Sequence, residues 1–330
     1  MKQSSWPEVR QWLSRHREWS VFLILCLEIL VFYIILYPET PGVRHTFFNL
    51  ETFALIFRNS SVYGIAAIGA AMIITGGGID LAPGAVIALT TVITGMLFVH
   101  GGVPIFPACL LGFLVGLLGG LFTSFLVVII KLPPFIATLG LMLIARGLGL
   151  VISGNEQIFL NLPPHLSFLG IPLPLLPMVL MIALALAFHW FMWRTPWGRQ
   201  ITAVGGNETA AKFSGVRVGR IKLLMYVLGG VLAGLSGVML SAVEKVGRFD
   251  LAAGYELDII AAAVVGGASL SGGRGSVLGA VIGSLIFGVL RIGLTQIAGA
   301  ANYERLIVGI VVVAIVIMDQ LTARKETKSA

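Results

Sequence analysis

The sequence predicts an all-α protein that crosses a membrane about ten times, and two observations lead to this fold class. First, 57% of the 330 residues are hydrophobic and only 11% are charged, whereas soluble domains carry about 25% charged residues. A single soluble globule of this length has too little interior for so many apolar side chains. Second, apolar runs recur that are long enough to cross the roughly 30 Å of bilayer hydrocarbon as helices. The chain is therefore expected to be an integral membrane protein.

The expected spans are of two kinds, smooth and interrupted. The smooth apolar runs lie near 20–37, 104–130, 134–152, 172–193 and 223–243. The weaker or glycine-broken runs lie near 59–75, 84–99, 257–270, 276–297 and 303–318. Backbone that leaves the helical form at membrane depth must be buried in protein or line water. We therefore expect the broken helices to form the interior and the smooth ones to face lipid.

These spans divide the chain into five segments. They are a cytoplasmic amphipathic helix at 1–19, a first transmembrane half at 20–193, a polar cytoplasmic loop at 194–222, a second transmembrane half at 223–318 and a cytoplasmic tail at 319–330. With this orientation, 15 of the 22 Lys and Arg residues fall on the inner side and five on the outer side. Positive residues concentrate on the cytoplasmic side of membrane proteins. Both termini are therefore predicted to be cytoplasmic.

The composition also argues against several function classes. The positive-inside bias accounts for the net charge of +7, and no basic stretch alternates with stacking aromatics, so no nucleic-acid partner is expected. The five histidines lack metal-ligand spacing, so no metal site is expected. The chain has no Gly-x-x-x-x-Gly-Lys-Ser/Thr loop to cradle ATP phosphates. We therefore expect no cofactor and no enzymatic activity in this chain.

Within the polar loop, the residues from 207 to 215 predict a short helix with a signal at each end. Asn207 has the side chain of an N-cap, and Glu208 suits the positive end of the helix dipole. Gly215 is the expected stop. The helix body consists of Ala210, Ala211, Lys212 and Phe213. An ordinary positive-inside loop is the alternative, but it explains only the charge and not the cap, the alanine pair and the stop.

Ionisable side chains within apolar runs are costly in a membrane and are candidates for a transport pathway. Asp80, Arg146 and Glu28 are three such candidates. Asp80 has a second interpretation, as a cap for the helix that follows it. Arg291, near the outer end of its span, is expected to extend to the lipid headgroups.

Four stretches, in order along the chain, carry motifs that occur together in one protein family. They are Gly77–Gly84, Pro133–Gly140, Glu208–Gly215, and Gly254–Asp258 followed by Gly266–Gly275. The segment from Glu208, with Thr209 inserted, resembles the Glu-Ala-Ala-x-x-x-Gly coupling loop of ATP-binding-cassette importer permeases. The others resemble the branch that imports monosaccharides such as ribose, xylose, galactose and the autoinducer-2 sugar. One departure is Ala82 and Pro83 where that branch usually has Ser and Val, which leaves the sugar's identity open.

This resemblance implies a channel of two permeases, either two copies of this chain or one copy and a relative, in a bacterial inner membrane. It also implies two cytoplasmic ATPase subunits, which bind the ATP and press on the helix at 207–215, and a periplasmic sugar-binding protein. A mixed-charge outer segment is the candidate docking site for that protein, with a solvated loop as the alternative. Its residues are Lys245, Arg248, Glu256 and Asp258.

Two other classes of function remain as alternatives. In a secondary transporter driven by an ion gradient, Asp80, Arg146 and Glu28 would serve as a proton relay. A membrane-embedded enzyme is the third hypothesis, although no Ser-His-Asp or Cys-His set falls within one loop.

Overall fold

The computed structural model describes residues 17–37, 47–163, 166–297, 299–304, 306–311, 313–314 and 317. The helix expected at 1–19 therefore lies outside the described residues up to position 16, and the expected tail at 319–330 lies wholly outside them. The fold is all-α, as predicted, because the strands are two-residue pieces in the connections.

The helices follow the apolar runs of the sequence. In chain order they are α1 Arg17–Ile35, α2 Leu50–Thr75, α3 Pro83–Gly95, α4 Ile105–Ser124, α5 Pro134–Ser153, α6 Leu176–Arg194, α7 Pro196–Gly206, α8 Glu208–Phe213, α9 Val218–Glu244, α10 Tyr255–Val265 and α11 Val277–Thr295. A π-helical turn continues α3 through Met96–His100, and another continues α4 through Phe125–Ile129. A 3-10 turn, Ala300–Tyr303, follows α11.

Four short strands lie in the connections of the bundle. The strand β1 Ile158–Phe159 pairs antiparallel with β4 Val246–Gly247. The strand β2 Ser167–Phe168 pairs antiparallel with β3 Ile171–Pro172. The first pair joins the segment after α5 to the segment after α9, so it ties two loops together at one end of the bundle.

Eight helices among the described residues are long and apolar enough to cross a membrane, namely α1 to α6, α9 and α11, with the π-helical turns of α3 and α4 included. The span expected at 257–270 corresponds to α10, which has 11 residues. That length is about 16 Å, or half of the hydrocarbon layer. The span expected at 303–318 is described only in part. The predicted number of about ten spans is therefore not confirmed.

Burial separates inner helices from outer ones. In the helices α2, α3, α9 and α11, 67% of the residues in the most apolar 18-residue stretch are buried, against 17% in α1 and α6. The expectation that smooth spans face lipid is therefore wrong for α9. Its glycines explain why, because a side chain at Gly116 of α4 would overlap the backbone of Gly230 and Gly234. Small residues allow two membrane helices to approach this closely.

The half-length helix α10 lies antiparallel beside the first part of α11. A side chain at Gly279 would overlap the carbonyl of Gly266, and one at Gly283 would overlap the carbonyl of Ala262. The carboxyl end of α10 therefore lies near the start of α11. From there α10 extends back about 16 Å along α11, so its first turn lies about halfway along the bundle.

Candidate functional site

The helix α8 forms with the cap and the stop that the sequence predicts. The Asn207 side chain accepts a hydrogen bond from the amide of Ala210 at 2.9 Å. At the other end, Gly215 has a φ of 84°, a left-handed conformation that favours glycine. The amide of Val216 donates to the carbonyl of Ala211 at 3.0 Å, which closes the last turn.

One face of α8 is held to the bundle and the other is open. Ala211 is buried, and Glu208 pairs with Lys222 of α9 at 2.7 Å. In contrast, the Phe213 side chain is 88% exposed. Beside it, Gly215 borders a crevice with Trp197 and Arg220 in its lining. An exposed ring next to a crevice with aromatic and cationic side chains is a suitable surface for another protein.

Just before α8, three glycine-containing segments meet through their backbones. We name the contact of Thr75–Gly78, Gly205–Gly206 and Gly272–Gly273 the glycine junction. The amide of Gly273 donates to the carbonyl of Thr75 at 2.8 Å, and a side chain at Gly205 would overlap that same carbonyl. The junction joins the ends of α2 and α7 to the segment that follows α10. We call the side of the bundle that carries α7, α8 and this junction the α8 face.

A cavity of about 230 Å³ lies beside the glycine junction. Its lining includes Glu208, Lys222 and Tyr226. The Tyr226 hydroxyl is buried and has no hydrogen-bond partner among the described residues. A side chain at Gly78 would lie 2.5 Å from this hydroxyl. Tyr226 was not a sequence candidate, since a single tyrosine in an apolar run resembles ordinary core.

Asp80 lies in the connection between α2 and α3. Its Oδ1 accepts the amide of Ala82 at 2.8 Å, and Ala82 is the N-cap residue of α3, which has no side-chain cap. The carboxylate therefore orders the turn before the helix. The capping hypothesis expects it to accept from the amides of Ala85 or Val86, and it does not. Burial raises the pKa of Asp80 from 3.8 to about 6, because an ionised carboxylate loses its hydration there.

Two arginines of long helices bind the first turn of α10. Arg146 of α5 lies 3.2 Å from both oxygens of Glu256, and Arg291 of α11 lies 3.0 Å from Asp258. Arg291 also pairs with Glu304 at 2.6 Å. We name these five residues the charged cluster. The headgroup contact expected for Arg291 is therefore wrong, because both of its partners lie against the bundle.

Aromatic side chains pack against the charged cluster. The rings of Tyr63 and Tyr255 meet edge to face with centroids 5.2 Å apart, and the Arg291 guanidinium lies 5.6 Å from the Tyr63 centroid. This is cation–π distance. The sequence indicated the two arginines and the two carboxylates separately, but it did not pair them or point to Tyr63 and Glu304. Arg146, Arg291, Glu256 and Asp258 each lie next to apolar sequence with no opposite charge nearby on the same helix. This pattern could have indicated that they pair with one another.

The remaining predicted residues lie apart from the cluster. Glu28 is on α1, and its Oε2 is buried without a hydrogen-bond partner among the described residues. Lys245 ends α9 in a left-handed conformation with a φ of 53°, and Arg248 pairs with Asp250. Of the four proposed docking residues, Lys245 and Arg248 therefore lie in the connection, while Glu256 and Asp258 are paired inside the bundle. Docking stays a prediction.

These features describe a helical membrane protein with an exposed capped helix on one face and ion pairs between its helices. A family model described as the permease component of the branched-chain amino acid transport system matches residues 52–316. The chain belongs to this family. It is therefore a membrane permease component of a transport system and not its ATPase.

Individual relatives match over most of their length. The ribose import permease protein of Bacillus subtilis (strain 168) is 38% identical over 273 residues, which cover 80% of this chain and 83% of the relative. The fructose import permease protein of Rhizobium meliloti is 33% identical, with 90% and 84% covered. The autoinducer 2 import system permease protein of Photorhabdus laumondii is also 33% identical, with 84% of each chain covered. No solved structure matches the chain significantly.

Proposed function

We propose that this chain is the permease subunit of an ATP-binding-cassette importer that carries a monosaccharide across a bacterial inner membrane. The three relatives are named for import of ribose, fructose and autoinducer 2. The observation that carries the proposal is α8, a capped helix that directly follows Gly206 of the glycine junction and exposes Phe213 at its end. Such a helix offers a partner a fixed apolar contact and connects it with the ends of α2 and α10.

In this proposal α8 is the coupling helix, with some residues contacting the ATPase subunit and others contacting the bundle. Its coupling residues are Asn207, Glu208, Ala210, Ala211, Phe213 and Gly215. Phe213 enters a cleft of the ATPase subunit, while Ala211 and the Glu208–Lys222 pair hold α8 to the bundle. When ATP binding moves the ATPase subunits, α8 moves with α7. Packed interfaces switch between discrete arrangements, so this displacement reaches α10 through the glycine junction.

The proposed importer places the α8 face and both termini in the cytoplasm. The opposite face, with Lys245 and Arg248, receives a periplasmic sugar-binding protein, and a second permease completes the channel. ATP is bound and hydrolysed by the ATPase subunits, which are separate chains. The ion-driven alternative loses support, because Arg146 is already paired with Glu256 and is not a free relay group.

The Phe213→Asp variant tests this proposal in cells that express the complete importer. A charged side chain cannot enter an apolar cleft without losing hydration, so the ATPase subunits should no longer co-purify and sugar uptake should be lost. Leu169→Asp is the matched control, because Leu169 is 85% exposed in the turn between β2 and β3, away from α8. Co-purification and uptake equal to those of the parent for Phe213→Asp would contradict the proposal.

A further inference from the structure

We infer that the cavity beside the charged cluster is the site through which the sugar passes in the half of the membrane away from the α8 face. This inference rests on the proposed function and specifies where a neutral polyhydroxylated solute contacts the permease. The cavity has a volume of about 880 Å³, within the usual range for small-molecule sites. Its polar wall consists of Tyr255, Asp258, Arg291 and Glu304, and its apolar wall includes Val264 and Val308.

The depth of the charged groups shows what fills the cavity. Arg291 lies about 21 Å along α11 from its end at the α8 face and about 6 Å from its other end, and Arg146 lies about 18 Å along α5 from the corresponding end. Their side chains are therefore within the span of the hydrocarbon layer. Even so, 28% of the Arg291 side chain and 25% of the Glu304 side chain remain exposed. Ionised groups at this depth face protein or water and not lipid, so the proposal takes this exposed surface to border an aqueous path.

The chemistry of the polar wall suits a sugar better than an ion. Arg291 is held by two carboxylates, so this wall carries excess negative charge that repels anions. The guanidinium is also fixed close to both carboxylates, which limits the gain from adding a second cation. Hydroxyl groups can donate to the remaining carboxylate lone pairs and accept from the free guanidinium N–H groups. The Tyr255 ring offers an apolar surface to the C–H groups of a sugar.

The pairing within the wall also limits how tightly a sugar is held. Asp258 and Glu304 already accept from Arg291 at 3.0 and 2.6 Å, so an incoming hydroxyl adds to satisfied groups and does not rescue an unpaired charge. Weak binding is required at a transit point, because the solute must leave as well as enter. Selectivity at this site therefore depends on shape and on hydroxyl geometry.

The same cavity is connected to the α8 face by α10. Asp258 is in the first turn of α10, and the segment after its last turn contains Gly272 and Gly273 of the glycine junction. A displacement of α7 and α8 therefore changes the position of Asp258 relative to Arg291. By this route ATP binding elsewhere alters the width of the sugar site.

Solvent access to the cavity is tested by cysteine labelling in the importer that lacks Cys26 and Cys109. Leu257→Cys is the probe, because Leu257 lines the cavity and is 64% exposed. Leu186→Cys is the matched control, since Leu186 is 60% exposed in the middle of α6. A membrane-impermeant methanethiosulfonate reagent should label Leu257→Cys at least tenfold faster than Leu186→Cys. Equal rates would overturn the inference, since they place the cavity against lipid or against protein.

Sugar uptake tests the ligand. The parent importer, reconstituted with its binding protein and ATPase subunits, is first offered radiolabelled ribose, xylose, galactose and fructose in turn. With the sugar that it takes up, Asp258→Asn and Glu304→Gln should each lower uptake at least tenfold, while ATP hydrolysis stimulated by the loaded binding protein stays within twofold of the parent. Glu51→Gln, a change of the same kind at an exposed residue in the first turn of α2 and outside the cavity, should leave uptake unchanged.

The outcomes separate this inference from the proposed function. If both carboxylate variants transport the sugar normally, the cavity is not the transit site, although the chain is still an importer subunit. If the parent takes up none of the four sugars and gains no ATP hydrolysis with its partners, the proposed function itself fails.

Discussion

The two ends of α10 are held in opposite ways. At the α8 face, the segment that follows α10 enters the glycine junction, where backbone lies against backbone with a hydrogen bond of 2.8 Å from Gly273 to Thr75. At the other end, the charged cluster holds α10 through the ion pairs of Arg146 and Arg291. The junction has no long side chains that could absorb a displacement. Ion pairs of long side chains can lengthen or change partner. We therefore expect the junction to transmit a displacement of α8 to α10, and the ion pairs of the cluster to rearrange in response.

The largest expected effect is on the junction. In Gly205→Ala the new methyl group would overlap the Thr75 carbonyl, so the segments must separate. Overpacking of this kind costs about 1–3 kcal/mol, and the contact that transmits movement is lost. Sugar uptake should fall at least as strongly as for any other single change proposed, with a lower melting temperature of the purified permease.

Gly206→Ala is the matched control for the junction. A side chain at Gly206 would lie 3.8 Å from Gly273, an ordinary van der Waals distance. This variant should keep the uptake and the melting temperature of the parent. If both alanine variants behave alike, the close approach at Gly205 is not what matters.

The next effect concerns the charged cluster. Arg146→Gln leaves Glu256 without its partner in a largely buried position. Removing one member of a fully buried pair costs about 3–5 kcal/mol, and the partial exposure of this pair lowers that figure. The melting temperature in detergent should therefore fall for Arg146→Gln.

The double variant Arg146→Gln/Glu256→Gln sharpens this result. It removes the unpaired charge together with the pair, so it should melt at a higher temperature than Arg146→Gln alone. A double variant that is less stable than the single one would mean that the ion pair does not hold the start of α10.

A smaller effect is expected from Asp80, next to the junction. Because burial raises its pKa from 3.8 to about 6, the folded protein binds this proton more tightly than the unfolded chain does. The associated stabilisation is fully present below pH 3.8 and is lost as the pH rises through about 6. In the parent, this loss should lower the melting temperature as the pH rises from 4 to 7. In Asp80→Asn, that fall in melting temperature should be smaller. An identical pH dependence in both proteins would contradict the burial of an ionisable Asp80.

The smallest effect is expected at the cap of α8. Asn207→Ala removes the acceptor for the Ala210 amide, and the loss of such a cap costs about 0.5–2 kcal/mol. Because α8 is short and lies at the surface, the overall melting temperature should hardly change. Sugar uptake per ATP hydrolysed should decrease, and Asn207→Asp, which keeps an acceptor, should restore it.

The features that the sequence predicted correctly are local ones. The cap at Asn207 and the stop at Gly215 depend on residues within one or two turns, so their spacing in the sequence is sufficient evidence. The long apolar runs likewise identified the membrane-crossing helices, because length and composition alone determine whether a helix can span a bilayer.

The features that the sequence did not predict depend on residues far apart in the chain. Arg146 and Glu256 are separated by 110 residues, and no local pattern relates them. The burial of α9 was missed because glycines that pack against α4 and apolar residues that face lipid give the same hydropathy. The short length of α10 was missed because Gly266, Gly267 and Ala268 continue its apolar run without a charged residue.

The central claim is that α8 controls the sugar cavity through the glycine junction and α10. The most direct test is the labelling rate of Leu257→Cys in the reconstituted importer, compared between the nucleotide-free state and the state trapped with ATP and vanadate. We expect the two rates to differ several-fold in the parent background and to become equal when Gly205→Ala is added, with ATP hydrolysis retained. Equal rates in the two states of the parent background would contradict the account.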